Sequence, residues 1–164
     1  VLATGLEVQL LGGVAVVVDG VSVDPNQRLT YRAAMFADIP NLAMIFGYVN
    51  VSWTRKADLV AEFACRLLNH MDHHGYQQVT PRNSEGFKTD EPFVVLKSGY
   101  LQRGAAVMPP QGSRAPWRNS QNVFLDTLQL RHGTLDDGYL RFTRARRESK
   151  ASKPARVVPR AILN

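Results

Sequence analysis

The sequence contains a single cysteine, Cys65, and no apolar run close to the ~20 residues that a membrane-spanning helix needs. One cysteine excludes an internal disulfide, which fits a reducing compartment, and we therefore expect a cytoplasmic protein. The segment Val1–Gly5 lacks a basic region followed by an apolar one, so we do not expect it to act as a signal peptide. A hydrophobic fraction of 45% and a charged fraction of 21% are typical of a globular domain with its own core.

Most of the chain also lacks an excess of positive charge, although the net charge is +6. From Arg141 onward, eight lysines and arginines face one acid, whereas residues 1–140 sum to −1. We expect a basic disordered tail over residues 144–164. No aromatic residues interleave with its charges and no recognised nucleic-acid-binding module precedes it, so we expect no nucleic-acid partner.

Several motifs that would indicate chemistry are missing. No Gly-x-Gly-x-x-Gly follows a strand, and no Gly-x-Ser-x-Gly elbow is present, so neither a phosphate cradle nor a serine hydrolase is indicated. His70 and His74 share a helix face, but no third ligand is evident, and we expect no metal site. Cys65 lies among apolar positions, which predicts a buried structural thiol. We predict no catalytic residue in this chain.

Strand and helix patterns are present in the first half. Short apolar runs predict strands over residues 1–23, with a hairpin turn at Asp19-Gly20. The unbroken apolar run Leu42–Phe46 predicts a strand over residues 42–47 that is buried on both faces. Apolar residues spaced by three and four predict an amphipathic helix over residues 54–74, with Gly75 as its stop.

The loop between this strand and this helix is the candidate binding site. A helix N-terminus suits anionic or electron-rich atoms, and ligands of open α/β sheets lie beyond the carboxyl ends of strands. Gly47 would allow close approach, Trp53 would form a flat apolar wall, and Asn50, Ser52 and Thr54 would supply hydrogen bonds. An ordinary strand-to-helix connection with Thr54 as the N-cap explains the same residues.

The second half is less regular. Residues 80–92 predict a polar loop, and Phe93–Leu96 a short strand. Residues 104–122 are rich in Pro, Gly, Ser and Arg and predict ordered irregular chain. Two further short elements are predicted at Phe124–Leu130 and Tyr139–Phe142, on either side of a turn.

Eight short motifs occur in a characteristic order along residues 1 to 143. They are Ala-Thr-Gly-Leu at 3–6, Val-Asp-Gly at 18–20, Asp-Ile-Pro-Asn at 38–41, Gly-Tyr-Val-Asn-Val-Ser-Trp-Thr at 47–54, Lys-Ala-Asp-Leu at 56–59, Cys-Arg-Leu-Leu-Asn-His-Met-Asp at 65–72, Gly-Tyr-Leu-Gln-Arg at 99–103 and Pro-Gln-Gly-Ser-Arg-Ala-Pro-Trp at 110–117. In this order they resemble the C-terminal third of FAD- and NADPH-dependent flavin monooxygenases of the Baeyer–Villiger type. The nearest resemblance is to the group that includes the ethionamide-activating monooxygenase.

The resemblance implies an α/β fold: the C-terminal portion of a flavoprotein with two Rossmann-like dinucleotide-binding domains. Residues 1–79 would be the C-terminal part of the FAD-binding domain, with an incomplete sheet and one long helix. Residues 80–143 would form an irregular C-terminal extension that packs on it. We therefore expect a fragment of a longer protein.

The resemblance also assigns the cofactor contacts. Thr4 and Gly5 would lie at the strand end where the chain passes from the NADPH domain to the FAD domain. Gly47, Asn50, Ser52, Trp53 and Thr54 would form one wall of the flavin site. Both FAD and NADPH would be bound mainly by residues that this chain lacks.

The implied activity is insertion of one oxygen atom from O2 into ketones, or oxidation of sulfur compounds. We expect the chain alone to be inactive, and its sequence does not indicate an oligomeric state. Two alternatives remain open at this stage. The chain could be a non-catalytic binding module that uses its basic tail, or a degenerate remnant without function.

Overall fold

The computed structural model of the chain describes residues 9–94 and 104–144. It contains a long helix α1 (Trp53–His74), a short helix α2 (Val123–Thr127) and, directly after α2, a π-helical turn (Leu128–His132). Three 3-10 turns lie at Leu10–Gly13, Pro25–Gln27 and Gly104–Val107. The strands are β1 (Val16–Val18), β2 (Val21–Val23), β3 (Thr30–Tyr31), β4 (Met35–Phe36), β5 (Gln78–Pro81), β6 (Lys88–Thr89), β7 (Gln111–Gly112) and β8 (Leu140–Thr143).

The strands of the described residues form four antiparallel pairs: β1–β2, β3–β4, β5–β8 and β6–β7. Together with α1 they confirm a small α/β structure with one long helix. A parallel Rossmann-like sheet is not seen within residues 9–94 and 104–144, and that part of the predicted fold stays a proposal. The predicted boundary between residues 79 and 80 also stays a prediction.

The predicted hairpin in the first segment is confirmed. β1 and β2 pair with Val16 opposite Val23, and both turn residues adopt positive φ, 50° at Asp19 and 81° at Gly20. Residues 1–8, with the candidate residues Thr4 and Gly5, lie outside the described part of the chain. The predicted strand at residue 10 is wrong, because a positive φ at Leu11 bends the backbone into the first 3-10 turn.

The strand predicted over residues 42–47 is also wrong. This segment makes one isolated bridge, between Met35 and Ala43, and no ladder with any described strand. Ala43 and Ile45 are exposed, whereas Met44 is buried against Phe36. A strand buried on both faces needs neighbours on each side to pair its backbone, and the described residues supply only this bridge.

Helix α1 matches the predicted helix closely. Gly75 ends it with a φ of 68°, and its N–H group donates to the carbonyls of Met71 and Asp72. The N-cap is Ser52 rather than the predicted Thr54, which lies inside the first turn. Leu68 fits the apolar spacing that predicts the buried face of the helix, but it faces solvent. The buried stripe therefore lacks this residue. It consists of Lys56, Leu59, Val60, Phe63, Leu67 and Met71.

Cys65 is exposed, which corrects the prediction of a buried thiol. The apolar spacing alone placed it near the core, but the stripe that α1 buries is narrower than the apolar pattern in its sequence. Each fully buried Leu, Val or Phe of that stripe contributes about 1.5–3 kcal/mol, so these side chains fix the orientation of the helix.

The centre of the core is the segment 29–37, every residue of which is buried. It forms the tight hairpin β3–β4, in which Arg32 and Ala33 adopt positive φ. The ring of Tyr31 packs against Phe63 of α1 and edge-on against the fully buried Trp117, at centroid distances of 6.3 and 5.8 Å. The helix, the hairpin and the second half of the chain therefore share one core.

Arg32 ties the second half of the chain to this core. Its guanidinium is 6% exposed and donates to the carbonyls of Gln129 (2.7 Å) and Thr134 (2.8 Å) and to the Asp137 carboxylate (3.1 Å). Arg66 of α1 donates to the carbonyls of Leu130, in the π-helical turn, and Gly133, directly after it. These bonds satisfy backbone groups that the π-helical turn leaves open.

The remaining predictions for the second half have mixed outcomes. The predicted loop over residues 80–92 contains the end of β5 and all of β6. Of the strand predicted at Phe93–Leu96, only residues 93 and 94 are described, and they form bends. The elements predicted at Phe124–Leu130 and Tyr139–Phe142 are confirmed as α2 with its π-helical turn and as β8. Residues 145–164 of the predicted tail lie outside the described part of the chain.

Candidate functional site

The loop that precedes α1 is closed by Trp53, whose indole lies on the backbone of Gly47. A Cβ atom at Gly47 would lie 2.1 Å from Cδ2 of this indole, so only glycine fits while the indole keeps this position. The indole also packs against Phe46, with ring centroids 5.7 Å apart, yet Trp53 remains 57% exposed. Here the close approach predicted for Gly47 is made by Trp53 itself, and a cofactor contact of Gly47 stays a prediction.

The other predicted site residues lie together at the same end of α1. Asn50, Ser52 and Thr54 are all exposed. The Asn50 amide donates to the carbonyl of Gln121 (3.2 Å), and the hydroxyls of Ser52 and Thr54 share a hydrogen bond of 2.7 Å. Since neither hydroxyl bonds to the helix backbone, the N-terminus of α1 has no side-chain cap. This end of the helix therefore presents polar atoms and a flat apolar ring to solvent.

Gln121 fixes the loop, a role that no local pattern in the sequence indicates. Its carbonyl side-chain oxygen accepts the N–H of Val49 (2.9 Å), and its amide nitrogen reaches the carbonyl of Gly47 and the side-chain oxygen of Asn119. Gln121 itself adopts a positive φ of 51°. The loop thus lies against a segment more than 70 residues further along the chain.

A row of amide side chains continues from this clamp. Asn119 and Gln111 bond to each other through the N–H of Asn119 (2.9 Å), and the Asn119 amide also donates to the carbonyl of Phe93 (3.1 Å). A cleft of about 540 Å³ lies beside this row and is bounded by Asn50 and Arg118 as well. The hydrogen bonds among these amides are internal, so they hold four segments of backbone in place.

A buried ion pair lies beneath the loop. Lys56 is 0% exposed, and its Nζ lies 2.8 Å from the carboxylate of Asp126, which is 8% exposed. The other carboxylate oxygen accepts the hydroxyl of Ser120 (3.2 Å), and the ammonium lies 5.5 Å from the ring centroid of Tyr48. A lysine in an amphipathic helix normally predicts a solvated position, which is why sequence reasoning missed this residue.

Burial shifts the pKa values of Lys56 and Tyr48 in opposite directions. It lowers the pKa of Lys56, while the Asp126 carboxylate acts in the opposite direction. It raises the pKa of Tyr48, and Asp126 raises that pKa further. The hydroxyl of Tyr48 has no hydrogen-bond partner in the described part of the chain. Burial therefore disfavours both the ammonium form of Lys56 and the phenolate form of Tyr48.

The described residues also bear on the metal and membrane predictions. Within residues 9–94 and 104–144, no group of three or more His, Cys, Asp or Glu side chains could hold a metal ion. The rings of His70 and His74 pack at a tilt of 37°, with centroids 4.3 Å apart, at the C-terminal end of α1. None of the described helices combines the length and the apolar character that crossing a membrane requires.

The chain is similar to three groups of curated proteins. It is 45% identical over 143 residues to the probable FAD-binding monooxygenase AlmA of Acinetobacter baylyi, which covers 87% of this chain and 29% of that protein. It is 43% identical over 152 residues to the FAD-containing monooxygenase EthA of Mycolicibacterium smegmatis, with coverage of 93% and 31%. It is 41% identical over 153 residues to the putative FAD-containing monooxygenase MymA of Mycobacterium tuberculosis, also with 93% and 31%.

The chain thus spans about 30% of the length of the curated relatives it matches. No protein-family model matches it, and no solved structure matches it significantly. The identity extends over most of the chain, including the loop and α1, which confirms the resemblance seen in its motifs. By sequence, most of this chain is homologous to part of the proteins named FAD-containing monooxygenase EthA, probable FAD-binding monooxygenase AlmA and putative FAD-containing monooxygenase MymA.

Proposed function

We propose that this chain is part of an NADPH- and FAD-dependent monooxygenase of the Baeyer–Villiger type. The complete enzyme would insert one oxygen atom from O2 into a ketone, or oxidise a sulfur compound. The observation that carries the proposal is the identity of 40–45% to proteins named as FAD-containing or FAD-binding monooxygenases. Because the chain spans about 30% of their length, the activity is proposed for a longer polypeptide.

The loop before α1 is the part of this chain that we propose faces the flavin. Trp53 would cover an apolar ring with its exposed indole, and Asn50, Ser52 and Thr54 would offer hydrogen bonds at its edge. The exposed ring and the N-terminus without a side-chain cap fit a flat, electron-rich group. Gly47 would act by allowing Trp53 to lie flat on the backbone, and Thr4 and Gly5 keep their proposed place near the cofactors.

The residues present fit one wall of a cofactor site. The sequence has no glycine-rich cradle for the pyrophosphate of FAD or of NADPH, so residues outside this chain would hold both cofactors. When bound, the flavin and NADPH supply the reducing electrons and the oxygen chemistry. The side chains of this chain would orient the ring system and exclude water from one of its faces. We therefore assign no catalytic residue here and expect the 164-residue chain alone to be inactive.

The alternatives of a binding module and a degenerate remnant account for one observation. Several large apolar side chains are exposed, among them Ile45, Val51, Trp53, Phe124 and Leu128. Such residues would suit a partner surface or a structure that has lost its covering domains. The monooxygenase proposal explains them as well, because the relatives are about three times longer. A cytoplasmic location, expected from the single cysteine, stays part of the proposal.

The proposal is tested on the protein purified natively through a handle at the C-terminal end of this sequence. We expect an intact mass about three times 18.3 kDa, bound FAD in the visible absorption spectrum, and NADPH consumption stimulated by ketones or sulfides. A mass near 18.3 kDa without flavin would overturn the proposal and favour the binding module or the remnant.

A matched pair of variants tests the role of the loop in that protein. Trp53→Leu removes the proposed wall and should alter the visible spectrum of the bound flavin. Phe124→Leu removes another exposed aromatic ring, which the proposal does not use, and should leave the spectrum unchanged. Equal spectra for Trp53→Leu and the unmodified protein would contradict the assignment of the wall.

A further inference from the structure

The buried ion pair between Lys56 and Asp126 joins three elements that meet beneath the proposed flavin-facing loop. Lys56 lies in the first turn of α1, Asp126 lies on α2, and Tyr48 lies in the loop itself. The ammonium contacts both the Asp126 carboxylate and the ring of Tyr48. Ser120 donates to the same carboxylate, one residue before the Gln121 clamp. One charged group therefore touches the loop and the two helices that flank it.

Stability alone is a poor reason to keep such a pair. Moving a lysine and an aspartate out of water costs more than most ion pairs recover, and an apolar pair of similar volume is often as stable. A buried pair can instead fix an arrangement, because its hydrogen bonds are short and directional. Because Lys56 lies directly behind the loop, the arrangement that the pair fixes is that of the loop.

The contact with Tyr48 connects the pair to the loop surface. Tyr48 follows Gly47 in the chain, and the backbone of Gly47 is the surface on which the Trp53 indole lies. The Tyr48 ring is buried, and the ammonium of Lys56 lies 5.5 Å from its centroid, within cation–π range. A shift of this ring would move Gly47 away from Trp53, so the exposed indole would lose its support.

We propose that Lys56 and Asp126 are positioning residues that hold the Tyr48 ring, and through it the Gly47–Trp53 contact, in the geometry that faces the flavin. This proposal rests on the proposed function in one respect only, namely that the group which the loop faces is a flavin. The link from the ion pair to Trp53 is a property of this chain and can be measured without any cofactor.

The first test is acrylamide quenching of tryptophan fluorescence in the 164-residue chain. Of the two tryptophans, Trp117 is 0% exposed, so the quenchable fraction reports on Trp53. Lys56→Met should raise the quenching constant toward that of the unfolded chain and lower stability, because it leaves the buried Asp126 carboxylate without its cation. Circular dichroism at the measuring temperature shows whether each variant is folded.

The decisive variant is the double substitution Lys56→Met with Asp126→Asn. It removes both charges, keeps the shapes of the side chains, and leaves Ser120 an acceptor on residue 126. We expect stability to return toward that of the unmodified chain while the quenching of Trp53 stays high. If quenching returns to the original value together with stability, the pair is merely structural and the proposal is overturned.

The matched control is Glu62→Gln. Glu62 of α1 pairs with Arg131 of the π-helical turn, so this pair also joins α1 to the region after α2, but both side chains are exposed. Its loss should leave the quenching of Trp53 unchanged. If the double variant does not fold, Ser120→Ala replaces it, since loss of the bond to Asp126 should raise quenching. An unchanged value in Ser120→Ala would then overturn the proposal.

The second test uses the flavin-containing protein proposed above. Lys56→Met with Asp126→Asn should change the visible spectrum of the bound flavin and lower kcat, by as much as about 100-fold if the wall is misplaced by 1 Å. If the unmodified protein binds no flavin, the proposed function fails and the quenching result stands by itself. If it binds flavin and the double variant has an unchanged spectrum and kcat, only the positioning role fails.

Discussion

Gly47→Ala is the most direct test of the loop geometry. The added methyl group would lie 2.1 Å from Cδ2, 2.3 Å from Cγ and 2.6 Å from Cε3 of the Trp53 indole. Carbon atoms pack at about 3.5–4.0 Å, so the indole must leave its place. Trp53 is 57% exposed, and its ring therefore has a free path into solvent. We expect the chain to fold with Trp53 displaced.

The cost of Gly47→Ala in stability follows from the contact that the Trp53 ring loses. The contact between Trp53 and Phe46 is of a kind that contributes about 0.5–1.5 kcal/mol beyond buried area. The φ of Gly47 is not in the left-handed region, so alanine adds no backbone strain, and it gains about 0.4–1 kcal/mol from a less flexible unfolded chain. The net loss should be about 1 kcal/mol or less, a fall in Tm of roughly 2–4 °C for a chain of this size.

The assay combines tryptophan emission with urea unfolding. Gly47→Ala should shift the emission of Trp53 to longer wavelength and raise its acrylamide quenching. Gly86→Ala is the control: Gly86 has a φ of 69° and open space around it, so alanine there costs about 1–2 kcal/mol without touching either tryptophan. If Gly47→Ala leaves emission and quenching unchanged, the indole does not lie on Gly47 and the reasoning about the loop is refuted.

Three further outcomes can be measured on the same chain. Arg32→Met should lower the free energy of unfolding in urea by about 3–5 kcal/mol, because it leaves a carboxylate and two carbonyls without their partner. Arg82 is exposed, so Arg82→Met should lower the same free energy by less than about 1 kcal/mol. Burial raises the pKa of Tyr31 and of Tyr48 above the ordinary value of about 10, so the folded state keeps protons that the unfolded state loses. The contribution of these raised pKa values to the free energy of unfolding is fully present below about pH 10, and it is lost as pH rises through the folded-state pKa values. In an absorbance titration of the folded chain, Tyr31→Phe and Tyr48→Phe should therefore leave the phenolate signal unchanged. After unfolding, each substitution should remove one fifth of the signal from the five tyrosines. A smaller phenolate signal in the folded variants would contradict the raised pKa values. Finally, Cys65 should react fully with a thiol reagent in the folded chain, and protection until unfolding would show that it is buried after all.

Local signals in the sequence predicted the features that depend on neighbouring residues. Helix α1 follows from apolar spacing and from Gly75, and the β1–β2 hairpin follows from Asp19-Gly20, because turns and helix ends are set by the backbone preferences of a few residues. For the same reason the cluster of Asn50, Trp53 and their neighbours at one helix end could be placed correctly next to the helix.

Features that depend on distant residues were not predictable in this way. The clamp by Gln121 and the burial of Lys56 require contacts across about 70 residues, which no local pattern records. The fully buried segment 29–37 has no strong period and carries Arg32 at its centre, a residue type that usually predicts exposure. The carbonyls of Gln129 and Thr134, in and just after the π-helical turn, make this burial possible, and they are distant in sequence.

Residues 42–47 form no strand in the described part of the chain, although their apolar run predicts one. An unbroken apolar run favours burial on both faces, yet Ile45 is exposed, and so are Val51 and Trp53 a few residues later. Exposed apolar residues in a pattern typical of burial are expected when the covering elements belong to another part of a longer polypeptide. The proposed parent enzyme therefore requires these side chains to be covered. In the natively purified protein, the emission that Trp53→Phe removes should be quenched by acrylamide less than in the 164-residue chain, and equal quenching in both would contradict the proposal.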